Sequence, residues 1–345
     1  MKKIYFLLVL SISVASIFLA CKKPPVTADT SNSNVDIYVA GHEYNGSSYI
    51  AKYWKNGQEV PLTNSGLDHA SAIAVVGGDV YVAGNKGYGA FYCKNGQAVL
   101  LTGVPNPWIP ASNWATSIVV AGNDVYVAGN ENMVATYWKN GQGVPLANTS
   151  TWSRANSIAV VGSDVYAAGY EPNASSVWVA KYWKNGQAVS LTDGRHPACV
   201  NSIVVVGGDV YAAGAEMNGS IWVGKYWKNG RPVSLGQSVS STGYAEVATS
   251  IVVVGNDVYV AGSVMNSGGK NVAKYWKNGQ AITLTDGTKE ANARAIAVVG
   301  SDVYVAGYER NGNFQVAKYW KNGQAISLTN ETSFAYATSM VVVKR

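Results

Sequence analysis

Through most of the chain, short apolar runs are separated by short polar breaks. No run keeps a helical period long enough to bury one face of a helix. Residues 201–235 show the unit. "NSIVVVG" is an apolar run that turns at "GGD", and "DVYAAG" is a second run. The polar stretch "AEMNGS" leads into "IWVGKYWK", and Asn229-Gly230 separates that run from "RPVSL". β-Branched and aromatic residues fill the runs, as half-buried strands require. Asn-Gly supplies the positive φ angles of a type I′ hairpin, so the last two runs pair. The unit therefore predicts four consecutive strands, here called A, B, C and D.

The unit recurs. Strand B begins at Asp36, Asp79, Asp124, Asp164, Asp209, Asp257 and Asp302, with spacings of 43, 45, 40, 45, 48 and 45. "KNG" follows each time, at Lys55, Lys94, Lys139, Lys184, Lys228, Lys277 and Lys321. Such a period with strand-like content points to a propeller or a similar array. The first unit lacks strand A, whereas the last is followed by a surplus strand A, "ATSMVVVKR". The missing piece at one end is the extra piece at the other. We therefore expect an all-β, seven-bladed β-propeller of four-stranded blades, closed by Thr338 to Val343 completing the first blade. Closure leaves only short, protected edges, whereas an open array would need polar caps.

"SDVYVAGYERNGNFQVAKYWKNGQAISL" followed by "ATSMVVV" resembles a kelch repeat in pattern, over about residues 35 to 343. Ala306-Gly307 stands where kelch units carry two glycines, and Trp directly follows Tyr on strand C. "WKNG" also resembles the Trp-x-Asn-Gly repeats of bacterial extracellular proteins of the HAF type. The kelch resemblance implies that strand A is innermost. Its small and β-branched residues suit a crowded axis.

Composition agrees with many strands and turns: 13% charged residues, 37 Gly, 22 Tyr, 11 Trp and only 5 Phe. The net charge of +6 is spread along the chain without a basic block, so there is no nucleic-acid footprint. Lys2 and Lys3 precede an apolar run of 17 residues, Ile4 to Ala20, and then Cys21. This reads as a secretory signal, too short for a span. "IFLAC" resembles a bacterial lipobox, which implies a lipidated Cys21. Phe18 and Leu19 depart from the commonest form of that motif. Lys22 resembles an outer-membrane address. The expected organisation is a lipoprotein signal over 1–20, lipidated Cys21 and a flexible tether over 21–34, and the propeller over 35–345. The expected location is the bacterial cell envelope. Cys93 and Cys199 lie in non-adjacent repeats and are not expected to form a disulfide.

A residue repeated in every blade is expected to serve packing between blades. This covers the strand B tyrosines (Tyr38, Tyr81, Tyr126, Tyr166, Tyr211, Tyr259 and Tyr304) and the Tyr182-Trp183 pair with its counterparts. Asp164 and Lys184, like the other six couples, fall on antiparallel neighbours and are expected to pair. Glu43, Glu131, Glu171, Glu216 and Glu309 each sit seven residues after the Asp. They are read as loop carboxylates pairing with strand C lysines such as Lys181, the alternative being a cation-binding ring.

Tight, near-invariant turns share one face of the disc, and variable loops share the other. Binding residues concentrate on variable loops held by a rigid scaffold. The most distinctive are "TGVPNPWIPASNWATS", "NTSTWSRAN" and "DGRHPACVN". They make Trp108, Trp114, Trp152, Arg154, Arg195 and His196 the ligand-binding candidates, because Trp and Arg dominate interface hot spots and aromatic planes stack on sugars. None of His42, His69 and His196 has metal-ligand spacing, and no nucleophile elbow or phosphate loop is present. No cofactor or metal is expected, and the chain is read as a monomer. The expected function is a lipid-anchored, non-catalytic interaction scaffold whose partner is an envelope protein. A glycan-binding propeller taking a polysaccharide is the alternative. A hydrolase with a cross-blade carboxylate pair is the third reading.

Overall fold

The computed structural model describes residues 34–62, 66–101, 113–147, 152–237 and 248–345. Among them the chain forms seven four-stranded antiparallel sheets, each in the order A-B-C-D. In six blades the strands are consecutive. In blade 1, Ala335–Lys344 pairs with Val35–Tyr44, so the last strand of the chain supplies the first blade's strand A. Val39 lies opposite Met340 and Ile37 opposite Val342.

Seven apolar clusters join the blades, one at each interface, including the interface between blades 7 and 1. The ring is therefore closed. Each strand C Trp turns toward the preceding blade: Trp183 packs with Tyr126 and Ala128, and Trp227 with Tyr166 and Ala168. Trp183 is only 1% exposed, which leaves it no surface for a ligand. Cys93 takes the Trp position in blade 2 and is fully buried. Cys93 and Cys199 are both free thiols.

The repeated turn is built from one cluster of side chains. Asn185 has φ 50° and Gly186 φ 83°, as the type I′ hairpin requires. Asn185 Oδ1 accepts the Val165 N–H, and its Nδ2 donates to Asp164 Oδ1, both at 2.8 Å. Lys184 Nζ sits 2.8 Å from Asp164 Oδ2 and 5.3 Å from the Tyr166 ring centre. The same asparagine bonds occur in all seven blades. The Lys184–Asp164 ion pair is part-exposed and screened by solvent, so the asparagine bonds rather than the charges hold the turn. The turn thus fixes the register of strands B, C and D. That is why the string is copied with so little change.

The Ala-Gly that ends each strand B core has a different cause. Strand A carries a bulge opposite it: Ala155 pairs with Gly169 and Ser157 with Ala168, so Asn156 is the extra residue. The bulge brings the Arg154 carbonyl against Gly169, where a β-carbon would lie 1.9 Å from the oxygen. Only glycine fits. The same contact, at 1.7–2.0 Å, recurs at Gly41, Gly84, Gly129, Gly214 and Gly307.

Candidate functional site

The bulge residues converge. Ser71, Thr116, Asn156, Asn201, Arg294 and Thr338, with Thr249 at the corresponding place in blade 6, line a single cavity of about 400 Å³. A cavity touched by strand A of every blade lies on the ring axis, which places strand A innermost. Arg154, Tyr170, Trp178, Cys199 and Trp222 also line it. These residues sit at the loop-side ends of their strands, so the cavity extends toward the variable-loop face.

Most of this polar ring also ties blades together. The Thr116 hydroxyl lies 2.7 Å from Ala155 O in the next blade and 2.9 Å from Ala128 O in its own. Thr249 reaches Ala293 O at 2.9 Å, and Thr338 reaches Ala70 O at 2.8 Å. Asn156 Nδ2 donates to Val200 O at 2.7 Å, and Asn201 Nδ2 to Ala248 O at 2.9 Å. The threonine hydrogens are therefore committed to backbone, and the threonine and asparagine oxygens are acceptors, with Asn201 Oδ1 also taking the Cys199 thiol at 3.9 Å. A second set of latches lies one residue on. Ser117, Ser157, Ser202, Ser250 and Ser339 accept the N–H of Ile158, Ile203, Ile251, Ile296 and Ile73 across the interface.

Two residues before each bulge the side chains differ in every described blade: His69, Trp114, Arg154, Cys199, Asn292 and Tyr336. Their carbonyls do the same structural work against the glycines. The frame therefore fixes the backbone of this rim and leaves the residue type at each position to its own blade. The Arg154 guanidinium lies over the Trp114 ring at 5.9 Å. Tyr170 and Trp178 stack at 4.7 Å with planes 26° apart. Arg294 lies over Tyr308 at 5.5 Å, and its Nη2 donates to the Tyr308 hydroxyl at 3.4 Å. On the blade 1 side, His42 packs 4.5 Å from His69 and 5.2 Å from both Tyr49 and Tyr336.

Burial, His69 and Arg294 together hold His42 down to about 3. Burial pushes Tyr336 up to about 12 and the Cys199 thiol up to about 11. Cys199 is thus a protonated thiol at neutral pH, unlike an activated nucleophile. Among the described residues, no group of three or more His, Cys, Asp or Glu side chains is placed to hold a metal.

Of the candidates picked from sequence, the structure brings together Trp114 and Arg154. Arg154 lines the cavity, and Trp114 backs it. Trp152 points outward with 67% of its surface exposed. Arg195 is exposed and pairs with Asp193 at 3.3 Å, and His196 is exposed beside it. Neither is a lining residue. Trp108 and Cys21 lie outside the described residues. Sequence reasoning missed Arg294, Tyr170, Trp178 and Trp222. One signal was available for the ring: a polar residue interrupts every strand A just before its apolar run.

The recurrent glutamates are paired as expected where a lysine faces them. Lys52 meets Glu43 and Lys181 meets Glu171, both at 2.7 Å, and Lys225 and Lys318 meet Glu216 and Glu309. In blade 3, Thr136 replaces the lysine, and burial raises the Glu131 carboxyl.

No family model matches the chain, and no curated protein matches it. Solved structures similar to it include the extracellular domain of a candidate one-component system from B. thetaiotaomicron, at 11% identity and TM-score 0.42. A puromycin-hydrolyzing peptidase from Mycobacterium tuberculosis is similar at 12% identity and TM-score 0.48. The matches cover 71% and 77% of this chain but only 32% and 47% of those. A candidate 6-phosphogluconolactonase from Bacteroides fragilis matches at 12% identity and TM-score 0.44, over 92% of this chain and 99% of that one.

Proposed function

We propose that the chain is an exported, lipid-anchored, non-catalytic propeller that binds a glycan at the axial mouth of its loop face. The observation that carries this reading is the rim. One backbone position carries a different residue in each of six described blades, and two of these, Arg154 and Cys199, line a cavity of about 400 Å³. Arg154 brings the cavity a charge that packing between blades does not call for. The volume falls within the ~300–1,000 Å³ usual for small-ligand sites. The Tyr170–Trp178 stack offers an aromatic platform, and the threonine and asparagine oxygens offer acceptors for sugar hydroxyls. No described lining residue carries a carboxylate, which favours binding over carboxylate-driven hydrolysis.

A second reading rests on Trp152, whose exposed ring suits an envelope-protein interface. A glycan array and an envelope pull-down, run with the same protein, separate the two. Glycan retention lost in Trp178→Ala and kept in Trp152→Ala supports the axial site. Protein capture lost in Trp152→Ala, with no glycan retained, supports the scaffold. Palmitate labelling that disappears in Cys21→Ser tests the anchor.

A further inference from the structure

We infer that the axial cavity takes an acidic sugar, a uronic acid or an oligosaccharide that ends in one. The inference rests on the glycan-binding reading and names the ligand class for that site.

The lining divides into three chemistries. Arg154 and Arg294 are its only charged side chains among the described residues, and both are cationic. Tyr170, Trp178 and Trp222 supply apolar planes. The rest is mainly Ser, Thr and Asn, whose threonine hydrogens and one amide hydrogen on each asparagine bond to backbone.

Arg294 is the most telling residue. It occupies the bulge position, where the other blades carry Ser71, Thr116, Asn156, Asn201, Thr249 and Thr338. A threonine or asparagine there bonds the neighbouring blade in five of those six. The frame would accept the same residue in blade 7. A guanidinium brings a permanent charge and a planar fork of donors that blade packing does not need. Arg154 adds a second guanidinium at the rim, where each described blade carries a different residue. Each guanidinium lies over an aromatic ring, Trp114 or Tyr308, which holds its plane before any ligand arrives. Preorganised guanidinium forks match a carboxylate, and the charge-assisted bonds are about twice as strong as neutral ones.

The acceptor ring selects among anions. Inorganic phosphate would bring its charge to the arginines but would set more oxygens against the threonine and asparagine oxygens. A hydroxylated carboxylic acid satisfies both sets: its carboxylate meets arginine, its hydroxyls donate to the ring, and its carbon face covers an aromatic plane. A neutral sugar satisfies only the last two.

The test is calorimetric titration of the full chain, purified in detergent. The ligands are a uronic-acid oligosaccharide, its carboxyl-reduced neutral counterpart and inorganic phosphate. We expect the acid to bind at least tenfold tighter than the neutral form at low salt, with the gap narrowing as salt is raised. Arg294→Thr installs the residue of blades 1, 3 and 6, so the fold should persist by circular dichroism. It should lose most of that preference while leaving neutral-sugar affinity in place. Arg154→Lys keeps the charge without the fork, and we expect an intermediate loss. Equal binding of acid and neutral sugar would overturn the inference and leave the glycan reading standing. So would an acid preference unchanged in both variants. Binding of phosphate alone would overturn it in favour of a simple anion site. Binding of no saccharide on the calorimeter or the array would overturn the glycan reading with it.

Discussion

His42 shows how much chemistry one position of the frame can carry. It sits on strand B of blade 1, against His69 of blade 2 and beside Tyr49 and Tyr336. Burial, the neighbouring imidazole and Arg294 hold its pKa near 3, against 6.5 for a free histidine. The sign follows from proton linkage. Above about pH 6.5 neither state binds the proton, and His42 contributes no pH dependence. Below it the unfolded chain takes up a proton that the folded chain refuses, so stability falls as pH falls. His69 shifts the same way, mainly through burial. We expect the urea midpoint to drop between pH 7.5 and 5, and His42→Phe to flatten that drop. An unchanged slope in the variant would place the acid sensitivity elsewhere. None of this was legible in sequence, where His42 and His69 are 27 positions apart and meet only because blades 1 and 2 are neighbours.

At the scale of the strand, the turn and the bulge behave differently as signals. The hairpins were readable because Asn-Gly dictates its own φ angles locally. The apolar runs gave strands A and B for the same reason, and the Asp–Lys pairs followed from register. The bulge was not readable. It depends on contact between two strands, and its mark in the sequence is one polar residue that looks like the end of a run. Gly169 exposes the dependence. Gly169→Ala would drive a β-carbon into the Arg154 carbonyl, and either the bulge or the strand must move. We expect a loss of about 1–3 kcal/mol or more in chemical denaturation. Because the bulge aims Arg154, ligand affinity should fall with it. The serine latches give the opposite experiment. Ala72 and Ala295 stand where five other blades carry the latch serine. Ala72→Ser should add a hydrogen bond to blade 3, worth about 0.5–1.5 kcal/mol. No rise in the denaturation midpoint would mean that the backbone there is already satisfied.

At the scale of the molecule, the ring and its closure were legible, because the strand A missing from the first repeat follows the last one. The pocket's contents were not, since a site assembled from seven blades leaves no motif in any one of them. Arg154 was found because it stands two residues after Trp152 in a variable loop. Arg294 was missed because its repeat is otherwise ordinary. Closure carries its own prediction. Removing residues 335–345 would take strand A from blade 1 and, with it, Ala335, Ala337 and Met340 from the interface with blade 7. The truncated chain should lose cooperative unfolding rather than shed a small increment of stability, read as a broadened thermal transition.

The clasp also sets a direction. The Arg345 N–H donates to Asn34 O at 2.8 Å, and the Arg345 guanidinium grips Asp36. The described chain thus begins and ends at one point on the turn side of the disc, opposite the mouth of the axial cavity. A ligand could therefore enter the axial cavity without passing the junction of the two chain ends.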